Sequence, residues 1–100
     1  MLRSYIAHIS PHYINNTFKL LLELTYKDVL IVKDMFILFK SSDKVENIYK
    51  MFTKNNIHAN YVLIQEIDKN LRATLPVRAA LWINKIGLIQ RPLEGWQHSD

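Results

Sequence analysis

Residues 29–52 read VLIVKDMFILFKSSDKVENIYKMF, and the changing period along them decides the fold. Val29–Val32 and Met35–Phe39 are apolar at every position, the pattern of short strands buried on both faces. Lys33-Asp34 separates them by the length of a tight hairpin turn, although the glycine favoured in such turns is absent. After Ser42-Asp43 the spacing switches. Val45, Ile48, Tyr49 and Phe52 form a helical stripe, and Asp43 with Glu46 has the spacing of a capping box. Asn55-Asn56 ends this helix, since asparagine tolerates the left-handed conformation of a helix stop. A hairpin feeding directly into an amphipathic helix is half of a layered sandwich, and the flanks supply the rest.

Upstream, residues 2–9 (LRSYIAHI) alternate, with Tyr5, Ala7 and Ile9 opposing Ser4, Ile6 and His8. They form a strand that Ser10-Pro11 closes, because proline cannot donate to a ladder. Ile14, Phe18, Leu21 and Leu22 mark a helix from Tyr13 to about Thr25. Downstream, Tyr61–Ile67 (YVLIQEI) is a fourth strand. Thr74 followed by Leu75-Pro76 starts a third helix that runs to about Ile86 and stops at Gly87. The order β-α-β-β-α-β plus one helix predicts an α+β, ferredoxin-like split β-α-β sandwich. Its strand order is 4-1-3-2, with both crossover helices on one sheet face. Residues 1–86 make a single domain on this reading, and 87–100 a C-terminal tail.

A chain of 100 residues, 49% hydrophobic and 22% charged, has room for one modest core and is too apolar for disorder. The absence of cysteine excludes a disulfide scaffold, thiolate metal sites and cysteine nucleophiles, and fits a cytoplasmic setting. The longest apolar run, Met35–Phe39, falls far short of the ~18 residues of a membrane span, so no membrane partner is expected. His8, Pro11 and His12 interrupt the place where a signal peptide keeps its apolar block. The formal charge of +4 is spread evenly: seven Lys/Arg face five Asp/Glu in residues 1–50, and six face four in 51–100. Such a balance permits attraction to nucleic acid without concentrating it.

Strand alternation puts Ile6, Phe36 and Leu38, with Val62 or Leu63, on the sheet face away from the helices. An apolar face of that size marks an interface, with a second copy or with this chain's own third helix and tail. The expectation is a two-fold homodimer whose open sheet faces, with Ile6, Phe36 and Leu38, pack together while the tails, with Leu88, Ile89, Leu93 and Trp96, cross onto the neighbour's edge. At one end of the sheet, the end of strand 1 (His8, Ser10), the start of strand 3 (Asp34) and the approach to strand 4 (His58, Asn60) converge. His8 and His58, with Asp34, could cleave RNA without metal, one imidazole activating a 2′-hydroxyl and the other protonating the leaving oxygen. Histidines at strand ends are more often solvated or bonded to backbone. His8 and His12 are split by Ser10-Pro11 and lack helical zinc spacing, so neither a metal nor another cofactor is expected. Glu66 and Asp68 share a strand face beside Arg3 and read as a surface ion pair. Lys44, Asn47, Lys50 and Lys54 on helix 2, with Lys40 before it, form either a phosphate-facing side for RNA or DNA or the solvated back of an amphipathic helix.

These elements resemble a known family. Tyr5-Ile6 in the first strand, a hairpin whose second strand begins with Asp34 and Phe36, the Lys/Ser-Asp start of helix 2, YVLIQEI, and LWINK at 81–85 carry the likeness. They are similar to small single-domain relatives of the CRISPR adaptation protein Cas2, including SinR-type proteins and GhoS-type antitoxin endoribonucleases. The resemblance spans residues 3–86 and implies a ferredoxin-like homodimer associated with nucleic acid in a defence or toxin–antitoxin setting. In that family the first strand commonly ends in an aspartate proposed to hold a metal. Ser10 stands there in this chain, which favours binding over metal-dependent cleavage. Two other expectations stand beside this one: a protein-binding modulator, such as a phage-encoded inhibitor of a host complex, and a metal-independent endoribonuclease.

Overall fold

Apolar runs and alternations become four strands in the computed structural model, which describes residues 1–32, 36–68, 70–71 and 73–85. The strands are β1 (Arg3–Ile9), β2 (Lys27–Val32), β3 (Phe36–Ser41) and β4 (Val62–Glu66); the helices are α1 (Asn16–Thr25), α2 (Val45–Asn55) and α3 (Val77–Lys85). The strands pair antiparallel in one sheet of order β2-β3-β1-β4. That is the expected 4-1-3-2 order read from the other edge, in a small α+β architecture. The hairpin turn expected at Lys33-Asp34 and the tail 87–100 lie outside the described residues. Met1–Glu66 forms one compact unit and the chain from Ile67 a second. In the second, Ala79, Ala80 and Ile83 of α3 are buried and Leu81 is exposed.

Register separates the two sheet faces. Tyr5 lies opposite Phe39, and Ala7 lies opposite both Ile37 and Ile64. These residues pack with Phe18 and Leu22 of α1 and with Ile48 and Phe52 of α2 into the core. Phe39 is its centre: Tyr26 stacks on it at 4.5 Å, Tyr5 at 5.6 Å and Phe52 at 6.0 Å, while Phe18 meets Phe52 edge-on at 5.3 Å. Ring pairs of this geometry add roughly 0.5–1.5 kcal/mol each beyond the area they bury. This cluster joins both helices to the central strand.

The second face carries Ile6 opposite Leu38 and Gln65, His8 opposite Leu63, and Val32 opposite Phe36. Leu63, not Val62, therefore belongs to it. The expectation of one exposed apolar patch fails at two of its residues: Leu38 is 0% exposed and Phe36 only 7%. Exposure on this face is concentrated on β4, where Leu63 is 57% exposed. Leu88, Ile89, Leu93 and Trp96 lie outside the described residues.

Helix ends differ from expectation in instructive ways. Pro11–Tyr13 makes a separate 3-10 turn, and α1 starts only after Asn15, whose side chain accepts from the Phe18 N–H at 2.9 Å. The capping box at α2 does not form, because the residue before the helix is Lys44 and no side chain caps it. Asp43 is held instead by its own backbone: its N–H donates to Ser41 Oγ at 3.0 Å, and its carbonyl accepts from the Tyr5 hydroxyl at 2.8 Å. At the far end, Asn56 has φ −143°, outside the left-handed region. The asparagines act through their amides, Asn55 Nδ2 donating to the Met51 carbonyl and Asn56 Nδ2 to that of Phe52, each at 2.8 Å. Helix α3 begins after Pro76, whose carbonyl accepts from the Ala80 N–H.

Candidate functional site

Three places bear on chemistry: the end of β1, the outer side of α2, and the seam between α2 and β4. At the first, Ser10 is buried and its Oγ accepts from the N–H groups of Asn60 (2.9 Å) and Tyr61 (3.2 Å). Its own N–H donates to the Tyr61 carbonyl at 3.3 Å. The serine thus clamps the approach to β4 onto the end of β1 through two part-buried hydrogen bonds. Where the resembling family carries an aspartate, this chain uses the position as a structural cross-link. The sequence gives no local sign of it, since the partners lie fifty residues on.

His8 projects from the second sheet face with its ring 5.9 Å from that of Phe36. His58 is exposed, and its carbonyl accepts from the Tyr13 hydroxyl at 2.8 Å. Tyr13 packs against the core on the helix side. The two imidazoles therefore belong to differently anchored segments, one in a strand and one in a loop. Asp34 lies outside the described residues. Among the described residues, no group of three or more His, Cys, Asp or Glu is arranged to hold a metal ion. No helix among them is long and apolar enough to cross a membrane.

On α2 the amphipathic geometry does what the spacing requires. Ile48 and Phe52 are buried, while Lys44, Asn47, Lys50 and Lys54 are all exposed. The last three recur at three- and four-residue steps and form one row. Glu46 and Tyr49 border it. Lys40 is not part of the row: it lies in β3, and its Nζ is 3.1 Å from Asp28 Oδ2. That ion pair, and not Arg3 with Glu66, is the one formed among the described residues.

Tyr49 departs from its expected place in the buried stripe and is 49% exposed. It borders a cleft of about 480 Å³ lined by Val45, Glu46, Tyr49, Lys50 and Ile64. A neighbouring cleft of about 490 Å³ shares Val45, Glu46 and Ile64 and reaches Arg3, Lys44 and Glu66. The seam lies where α2 meets the edge strand, with an apolar floor and charges of both signs on its rim. A stripe reading cannot find such a seam, because it does not say which margin of a helix overhangs a sheet edge.

One further group is perturbed. Tyr26 is 6% exposed, and burial, with the Asp43 carboxylate adding to it, pushes its phenol up to about 12. The charged form is disfavoured there, and the ring serves the core.

No protein-family model matches the chain, nor does any curated protein or solved structure with which it was compared.

Proposed function

We propose that this chain is a small, homodimeric nucleic-acid-associated binding protein of a defence or toxin–antitoxin type, built on a ferredoxin-like sandwich and working in the cytoplasm without metal-dependent catalysis. The fold reading is supported by the antiparallel order β2-β3-β1-β4 with α1 and α2 as the two crossovers. The observation that carries the function is the exposed row Asn47, Lys50 and Lys54 on α2, with Lys44 exposed at the helix start. Ammonium groups on one helix face attract phosphates without reading bases, and each phosphate they neutralise releases counterions.

The test is salt dependence. Retention of single-stranded RNA or duplex DNA should weaken as salt rises. The log–log slope should be about −2 to −3 per chain if each lysine neutralises one phosphate. Replacing Lys44, Lys50 and Lys54 together with glutamine should abolish most of that slope, and Lys40→Gln should change it little. No retention even at low salt would reject the reading. A protein-binding modulator is the second reading, and the apolar seam between α2 and β4 favours it.

A further inference from the structure

Among the described residues, strand β4 ends the sheet on the side away from β2. Edge strands expose a row of backbone donors and acceptors, and proteins normally blunt them with lysine, proline, a bulge or a cover. Val62–Glu66 (VLIQE) holds no lysine and no proline, and its pairing with β1 runs without a register shift. It also has apolar surface on both faces: exposed Leu63 and Tyr61 on one, and the Val45–Tyr49–Ile64 cleft on the other.

We infer that β4 is a pairing edge whose occupant is β4 of a second copy, joined antiparallel with Leu63 on the two-fold axis. In that register Leu63 faces Leu63 of the second copy and Val62 faces Ile64, so an apolar pair forms on each face, and Tyr61 faces Gln65. Asn60 then faces Glu66. The rim of the seam argues for a copy of itself over a polyacidic or polybasic partner. Arg3, Lys44 and Lys50 stand on it beside Glu46 and Glu66, and a mixed-sign rim complements its own image across a two-fold. An antiparallel edge pairing has its axis perpendicular to the sheet, so both α2 helices lie on one face of an eight-stranded sheet. Their two lysine rows then form a single basic surface. That consequence rests on the function proposed above; the pairing does not.

The chain has no cysteine, which makes single-cysteine cross-linking free of background. Under mild oxidation, Leu63→Cys should form a disulfide-linked dimer at least tenfold faster than Gln65→Cys or Ser42→Cys. A mixture of Tyr61→Cys and Gln65→Cys chains should cross-link faster than either alone. Equal, slow rates for the 63 and 65 variants, or a monomer by sedimentation at hundreds of micromolar, would overturn the pairing. Cross-linking at 63 in a chain that retains no oligonucleotide would leave the pairing standing and remove the function. Lysine-dependent retention by a chain that does not cross-link would do the reverse.

Discussion

At one edge of the sheet, β2 carries a register shift between Lys27 and Leu30, charged and exposed Lys27 and Asp28, and an ion pair from Asp28 to Lys40. Asp28 takes a φ of 51°, the left-handed region that a side chain normally avoids. At the other edge, β4 is regular, holds no basic residue, and presents Leu63 to solvent. The same two-layer scaffold thus ends once in a strand distorted and charged against pairing, and once in a strand left fit for it. Bulges and charged edges cost local pairing, so placing them on one side only marks the other as the side meant for contact.

The sharpest way to break this contrast is to give β4 the defence that β2 has. Leu63→Lys puts two ammonium groups opposite each other on the axis and withdraws two leucines from burial, each worth roughly 1.5–3 kcal/mol. Self-association should fall by more than roughly 100-fold, about 3 kcal/mol, in sedimentation equilibrium. Lys27→Glu at the β2 edge should leave it unchanged. Equal effects at both edges would remove the distinction.

A second effect belongs to the β2 side, where Tyr26 immediately precedes the strand. Its folded pKa of about 12 lies above the ordinary value of 10.0. The folded state therefore holds the phenolic proton more tightly than the unfolded chain does. The stability this represents is complete below pH 10 and is lost as pH rises from 10 through 12. A shift of this size corresponds to roughly 2–3 kcal/mol. Denaturation midpoints should fall across that window, Tyr26→Phe should flatten the fall, and absorbance at the phenolate band should show one tyrosine titrating late.

The β4 side depends on Ser10 in a comparable but smaller way. Ser10→Ala leaves the Asn60 and Tyr61 N–H groups without their acceptor and should cost about 1–2 kcal/mol. Hydrogen exchange should quicken at residues 60 and 61 before it does along β3. Ser10→Asp tests the position differently, since a carboxylate can accept from the same two donors and should retain more of the clamp than alanine does; unchanged stability in Ser10→Ala would mean that the clamp is dispensable.

Much of the scaffold was legible in the chain, and the reasons are local. FILF at 36–39 is buried at every position of a strand with a neighbour on each side, and a continuous apolar run is what such a strand must carry. The lysines of α2 were legible because Ile48 and Phe52 fix which side of the helix is inward. Tyr49 was not: stripe arithmetic treats the margin of a helix as buried, whereas this margin overhangs a sheet edge. The complete burial of Leu38 and the withdrawal of Lys40 into an ion pair both depend on residues distant in sequence, as does the role of Ser10. The chemistry expected of His8 and His58 rested on convergence of chain ends; the structure shows Ser10 and Tyr13 holding those ends by hydrogen bonds, with the His8 ring beside Phe36.

The smallest expected effect concerns Asp28, where two terms oppose each other. Its φ of 51° places an ordinary residue in a region that glycine occupies without steric cost, so Asp28→Gly relieves strain. The same change removes the partner of Lys40. That pair is worth no more than about 0–1 kcal/mol, because the Asp28 side chain is 57% exposed. The net change in stability should stay within about 0.5 kcal/mol. Asp28→Val keeps the loss and adds the clash of a β-branched side chain at positive φ, and should cost about 1–2 kcal/mol more. Neither variant should begin to associate through β2, because the shift between Lys27 and Leu30 still spoils its ladder. If Asp28→Gly alone produces β2-dependent oligomers, then the charge and not the bulge protects that edge, and the contrast with β4 reduces to a difference in charge.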